Sequence, residues 1–203
     1  MTTLADLRTS CYGRFGKSPE YVAKQLHAIP DAPVVVREVF LLQRVQGKTV
    51  LDVGASGPMH AEIVLAAKRC YGIDRRDTED VYALDLDDFY SPMLKFAGVE
   101  LVVCGEVLEH LSNPGQFLDK LSKAYHVPTI FTVPNAFTAA GRRFLREGYE
   151  NVNDDHCAWY STTTLRTLLG RHGYNVKEWY WYKGQPHVAE GIIAVAETRS
   201  GQT

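Results

Sequence analysis

The sequence predicts an α/β fold: a doubly wound sheet of seven mostly parallel strands with an antiparallel last strand and an N-terminal helical lid. Three observations carry the prediction. From Lys48 onward, short apolar runs alternate with segments of helical spacing, the pattern of helices laid on both faces of a parallel sheet. Several of these runs are followed by small or acidic residues, at the strand ends where such sheets bind ligands. The last two runs are joined by a link too short for a crossover helix, so they pair antiparallel.

Each element has a local reason. Near the start, Ser18 is an N-cap, Pro19 fits the first helical position, and Tyr21, Val22 and Leu26 share a face. Residues 32–46 read as a second helix, although their β-branched run lowers its propensity. Residues 1–45 form a lid or substrate cap, and residues 46–203 form the sheet domain. The predicted strands are 49–53, 70–73, 81–84, 100–104, 129–133, 174–182 and 191–197. Between them, residues 58–68 have helical spacing. Asn113 caps a helix with Pro114 in its first turn and an apolar stripe of Phe117, Leu118, Leu121, Ala124 and Tyr125. Ser161 starts a further helix with Leu165, Leu168 and Leu169 at core spacing, ended by Gly173.

Composition narrows the function. Of 203 residues, 45% are apolar and 23% charged, which excludes disorder and coiled coil. Twenty-two basic against 24 acidic side chains give a charge of -2, which argues against nucleic acid as a partner. No apolar run approaches the roughly 20 residues that cross a bilayer, and the first residues lack a secretion pattern. The four cysteines, Cys11, Cys70, Cys104 and Cys157, form no CxxC pair. They read as reduced thiols, which points to a cytoplasmic location.

The first strand runs into Val50-Leu51-Asp52-Val53-Gly54-Ala55-Ser56-Gly57-Pro58. Small residues let a ligand approach the backbone, and the helix start favours an anionic group. The dinucleotide pattern Gly-x-Gly-x-x-Gly fails twice, at Ser56 and at Met59. The acid two residues before Gly54 instead resembles the first motif of the class I S-adenosylmethionine (SAM) methyltransferases, which have a Rossmann-like sheet. Asp74 follows Asp52 by 22 residues, at the position that holds the ribose hydroxyls in that family. Leu84-Asp85-Leu86-Asp87 resembles the adenine-binding segment. Cys104-Gly105-Glu106-Val107-Leu108-Glu109-His110-Leu111 is similar to a segment of the small-molecule, ubiquinone-pathway-like O-methyltransferases. Val133-Pro134-Asn135 and the stretch 155–161 resemble later landmarks of the same group. The resemblance implies SAM as cofactor, held by Asp52, Gly54, Ala55, Ser56, Gly57, Asp74, Asp85, Leu86 and Glu106. It departs from the family at Ser56 and Pro58, where the turn usually reads Gly-x-Gly-x-Gly.

Glu106, Glu109 and His110 form an ExxEH cluster, which a helical turn would place on one face. His156 follows His110 by 46 residues. These four are candidate ligands for Mg²⁺, since carboxylates and imidazoles suit a divalent ion. The small-RNA 2′-O-methyltransferases resemble this arrangement. Metal-free methyltransferases carry the same string, and there His110 or His156 would act as a simple base.

Other residues have two readings each. Arg142, Arg143 and Arg146 read as an anion site or a solvated helix face. Trp159, Trp179 and Trp181 read as ring-stacking groups, or, for the last two, as packing on one sheet face. Arg37 reads as a partner for the SAM carboxylate or a surface arginine, and Asn135 as a substrate contact or a turn residue. Tyr12, Phe15 and Tyr21 are candidate substrate contacts within the lid. The expected function is methyl transfer from SAM to a small-molecule acceptor, at a hydroxyl oxygen. The alternatives are a non-catalytic binding protein on the same fold and a metal-assisted RNA 2′-O-methyltransferase.

Overall fold

The computed structural model describes residues 24, 26–76, 78, 80–88 and 93–199. The expectations for Cys11, Tyr12, Phe15, Ser18, Pro19, Tyr21 and Val22 fall outside the described residues. The fold below is that of a compact unit beginning at Asp31.

Its elements in chain order are β1 (Val34–Val35), α1 (Arg37–Val45), β2 (Thr49–Val53), α2 (Gly57–Ala66), β3 (Arg69–Asp74), β4 (Val81–Ala83), β5 (Leu101–Gly105), a 3-10 turn (Leu108–His110), α3 (Pro114–Ala124), β6 (Thr129–Pro134), α4 (Ala139–Arg146), α5 (Thr162–Arg171), β7 (Tyr174–Tyr182) and β8 (Gly191–Thr198). They build one sheet in the order β1-β7-β8-β6-β5-β2-β3-β4. Strand β8 runs antiparallel to both neighbours, β6 and β7. The other pairs are parallel.

The seven expected strands are all present, and β8 is the antiparallel last strand. An eighth comes from the segment expected as helix 32–46. Val34 and Val35 pair with Trp181 and Tyr182, and the helix starts at Arg37. The β-branched run adopts the strand geometry that it prefers. Residues 34–45 belong to the same compact unit as the sheet, and Phe40, Leu41 and Val45 are buried in it.

Period-two alternation sorts the strands between two apolar layers. Leu51 and Val53 of β2, with Val102 and Cys104 of β5, face a layer that includes Phe117, Leu118 and Leu121 of α3 and Leu165 and Leu169 of α5. Val50, Leu101 and Val103 face the opposite layer, with α1 and Ile63 of α2. Fully burying each such side chain contributes about 1.5–3 kcal/mol. Both predicted caps form. Asn113 accepts from the Gln116 N–H at 3.1 Å, and Ser161 and Thr164 make a reciprocal capping box. Trp181 is buried, with Trp179 packed partly against the same layer, so these two take the sheet-packing role. Among the described residues, no helix is long and apolar enough to cross a membrane.

Candidate active site

Strand β2 pairs with β3 on one side and β5 on the other, so the chain changes winding direction between β2 and β5. The loops after these strands part there and leave a crevice beyond their carboxyl ends. A cleft of about 350 Å³ lies in it. Asp52, Gly54, Ser56, Asp74, Asp85, Leu86 and Glu106 line this cleft, as does Arg37. Two of the expected cofactor residues, Ala55 and Gly57, are not among the lining residues. Ala55 is buried, and its N–H and that of Gly54 both donate to the Ile73 carbonyl.

The turn after β2 explains its departures from the family pattern. Gly54 has φ +76°, and a Cβ there would sit 2.4 Å from Val107 Cγ2, so a side chain is excluded. Ser56 has φ −139° and ψ 153°, an extended conformation that any residue adopts. Glycine is not required at that position. Pro58 lies in the first turn of α2, where its missing N–H costs no helical bond.

Beneath the turn, His60 Nδ1 and Asp52 Oδ2 lie 2.8 Å apart. Asp52 is 5% exposed. Burial pushes its carboxyl up, and the hydrogen bond with His60 opposes that shift. The same bond holds His60 above its ordinary imidazole value. His60 Nε2 is buried without a hydrogen-bond partner, and the residue lines the cleft.

The strand ends on the other flank carry carboxylates. Asp74 closes β3 and accepts from the Arg76 N–H at 3.2 Å. Asp85 accepts from the Asp87 N–H at 3.0 Å. Asp87 in turn accepts from the N–H of Ser112 at 3.0 Å and of Asn113 at 3.4 Å. Asp87 thereby ties the loop after β4 to the start of α3.

Glu106 follows β5 with φ +54°, an uncommon conformation for a residue with a side chain. Its Oε1 accepts from Tyr182 OH at 2.7 Å and Thr132 Oγ1 at 3.0 Å. Arg37 Nη1 lies 3.9 Å from the same oxygen. Glu106 and Arg37 also line a second cavity of about 450 Å³, reached by α4 and the loop before α5. Burial, then the neighbouring Glu106 charge, raises the Tyr182 hydroxyl above its ordinary value. Tyr182 therefore donates rather than ionises.

Glu109 lies in the 3-10 turn, 1% exposed, and neither carboxylate oxygen has a hydrogen-bond partner. Burial, then the Glu106 charge, pushes its carboxyl up to about 8. One ligand atom from each of Glu109, His110 and His156 lies within 4.8 Å of the others. The loop that brings His156 here is stitched down. Cys157 and Ala158 donate their N–H groups to the Glu109 carbonyl at 2.7 and 3.2 Å, and Tyr160 OH donates to the Leu108 carbonyl at 3.1 Å. Asp155 Oδ2 lies 2.9 Å from His110 Nδ1. His156 is lowered by burial and by His110. An orphaned buried carboxylate beside two imidazoles fits a divalent cation. Glu106 does not belong to this group. Its αL backbone sends the carboxylate to Tyr182 and Thr132, so the single helical face expected for the ExxEH string does not form.

The remaining candidates also have clear places. Arg142, Arg143 and Arg146 lie exposed on α4, which buries no residue, and Arg143 pairs with Glu147 at 3.4 Å. Asn135 is buried and donates to the Ala189 carbonyl at 2.9 Å, while its Oδ1 accepts from the Phe137 N–H at 3.0 Å. Its amide serves the turn. His60, Thr132 and Tyr182 were not legible as site residues. They sit on a helix and strands whose one-dimensional spacing to the motifs carries no signal.

A doubly wound sheet with a glycine-bearing turn after β2 and acids at the ends of β3, β4 and β5 is the arrangement of a nucleotide-type cofactor domain. The chain belongs to the methyltransferase domain family, whose model matches residues 26–178. Solved structures with the same fold include the small RNA methyltransferase HEN1, at 17% identity and a TM-score of 0.63 over 82% of this chain. This chain spans about a quarter of that one, 25%. A SAM-dependent methyltransferase from Archaeoglobus fulgidus has 14% identity and a TM-score of 0.60, over 94% of this chain and 99% of that one. The N-methyltransferase NodS from Bradyrhizobium japonicum WM9, in complex with S-adenosyl-L-homocysteine, has 16% identity and a TM-score of 0.56, over 81% and 86%. No curated protein matches the chain.

Proposed function

We propose that the protein transfers a methyl group from SAM to a hydroxyl oxygen of a small-molecule acceptor held in the second cavity, and that it groups with the ubiquinone-pathway-like O-methyltransferases. The observation that carries this reading is the Glu109–His110–His156 cluster between the two cavities. His110 lines the cleft and His156 lines the second cavity. A hydroxyl must lose its proton as it attacks, and a cluster of this kind can assist that loss.

SAM fits the first cleft. Asp74 and Asp85 would hold the nucleoside part, because carboxylates accept from hydroxyl and amine donors. Arg37 would meet the amino-acid carboxylate, and the small residues of the turn admit the chain between them. When bound, SAM supplies an electrophilic methyl on a positively charged sulfur. The protein's own work is then alignment and exclusion of water. Glu106 fixes the wall between the cavities, anchored by Tyr182, Thr132 and Arg37. Glu109, His110 and His156 would hold Mg²⁺, which supplies a Lewis acid for the acceptor oxygen. A base-only reading has one observation in its favour: burial and the neighbouring His110 lower His156, which favours its neutral, proton-accepting form. The free thiols Cys70, Cys104 and Cys157 fit a reducing, cytoplasmic setting.

The test is thioether product formation from SAM with catechol and vicinal-diol acceptors, with Mg²⁺ or with a chelator. Turnover that the chelator removes supports the cation reading, and turnover indifferent to it supports the base reading. Methylation confined to amines contradicts the oxygen assignment.

A further inference from the structure

The second cavity is lined by polar groups that the fold leaves free. Asn151, Asn153 and Glu190 line it; all three are exposed, and their side chains make no hydrogen bond or ion pair among the described residues. Trp159 lines it too, 43% exposed, with no ring stacked on it among the described residues. Asn135 shows the contrast, since both ends of its amide are taken by the backbone. Asn151, Asn153 and Trp159 share the loop that the Glu109 carbonyl holds through Cys157 and Ala158. The Asn153 carbonyl also accepts from the His156 N–H at 3.1 Å, which ties Asn153 to His156.

These groups share one chemistry. A carboxamide donates and accepts, and a carboxylate accepts from two donors. Neighbouring hydroxyls on a ring offer the complementary pattern. A half-exposed indole offers a flat apolar face with a negative quadrupole, against which the C–H face of a saturated ring packs. A purely apolar acceptor would displace water from two amides and a carboxylate without pairing them. A lining of this kind favours ligands bearing hydroxyls.

We propose that the acceptor is a hydroxyl of a glycosyl ring, packed on Trp159 with its neighbouring hydroxyls held by Asn151, Asn153 and Glu190. This inference rests on the methyl-transfer reading and narrows its acceptor. The transfer forms one O–CH₃ bond and breaks one S–CH₃ bond. It leaves a neutral thioether, and the hydroxyl proton passes to solvent.

The experiment is saturation-transfer NMR of the full chain with p-nitrophenyl glycosides of glucose, galactose, mannose and rhamnose. Catechol and a short single-stranded RNA are run as competing classes. At least one glycoside is expected to give ring-proton saturation that falls fivefold or more in Trp159→Ala and in Asn153→Ala, and that Trp159→Phe restores. Absence of Trp159-dependent saturation from every glycoside overturns the proposal, as does binding confined to catechol or to the RNA ribose. Failure of the wild type to bind SAM in a parallel titration is a separate result. It contradicts the methyl-transfer reading and leaves the glycoside signal to be read by itself.

Discussion

Tyr182 OH donates to Glu106 Oε1 at 2.7 Å, joining the end of β7 to the residue after β5. This bond forms because β8 passes between β7 and β6 with a glycine under the tyrosine ring. A Cβ on Gly191 would lie 1.8 Å from Tyr182 Cζ. Gly191→Ala must displace that ring and is expected to cost about 1–3 kcal/mol of stability, with loss of methyl transfer. Tyr182→Phe keeps the packing and removes the donor. It should retain the melting temperature to within a few degrees and still lower activity. Denaturation curves and initial rates on the two variants check this, and equal loss of stability in both would show that the ring's volume, not its hydroxyl, matters.

The Asp52–His60 pair makes stability depend on pH. His60 is raised by its bond to Asp52, so the folded state keeps this proton where the unfolded chain releases it. The contribution is complete below the unfolded value of about 6.5 and fades as pH rises through the higher folded value. Burial also raises Asp52, which shifts stability with the same sign. His60→Gln should be destabilised relative to wild type by about 1–2 kcal/mol at pH 6, with the gap narrowing by pH 9. Melting temperatures of both proteins across that range test it. A gap that widens with pH reverses the sign and refutes the assignment.

Asp74 and Asp87 lie on the same flank but have different work. Asp74→Ala should weaken SAM binding by about 1–3 kcal/mol, from lost charge-assisted bonds, and barely alter stability. Asp87→Ala removes the acceptor for Ser112 and Asn113 N–H, so it should lower the melting temperature first. Calorimetric binding and thermal melts on both variants separate the roles.

Glu109 is the buried carboxyl pushed to about 8. A raised acid costs stability as pH climbs above its unfolded value of about 4.3 toward the folded one. Without divalent ions, Glu109→Gln should therefore be more stable than wild type at pH 8, by ~2 kcal/mol. The same variant should lose cation-dependent turnover tenfold or more. Added Mg²⁺ should raise the wild-type melting temperature and leave that of the variant unchanged. A wild type indifferent to Mg²⁺, manganese and chelator alike would remove the cation site.

The strands were legible because apolar runs such as Val50–Val53 and Leu101–Cys104 are buried on both faces, and the caps at Asn113 and Ser161 because capping is local. The site acids Asp52, Asp74, Asp85 and Glu106 were legible because a fixed fold places strand ends, not because their spacing demands a ligand. Val34–Val35 escaped because a two-residue strand has no period to read, and its partner Trp181 lies far away in the chain. The αL turn at Glu106 also escaped, since nothing in a Gly-Glu-Val sequence requires it. That single dihedral moved Glu106 out of the ExxEH face. Tyr182 and His60 meet their partners through sheet order and helix packing, which are three-dimensional facts.

The central claim is a working SAM site in the cleft between β2 and β5. The direct measurement is calorimetric titration of the full chain with SAM, alongside Asp74→Ala. Micromolar binding is expected, about −8 kcal/mol, weakened about fivefold or more by the substitution. No heat of binding in the wild type, or binding that Asp74→Ala leaves untouched, would contradict it.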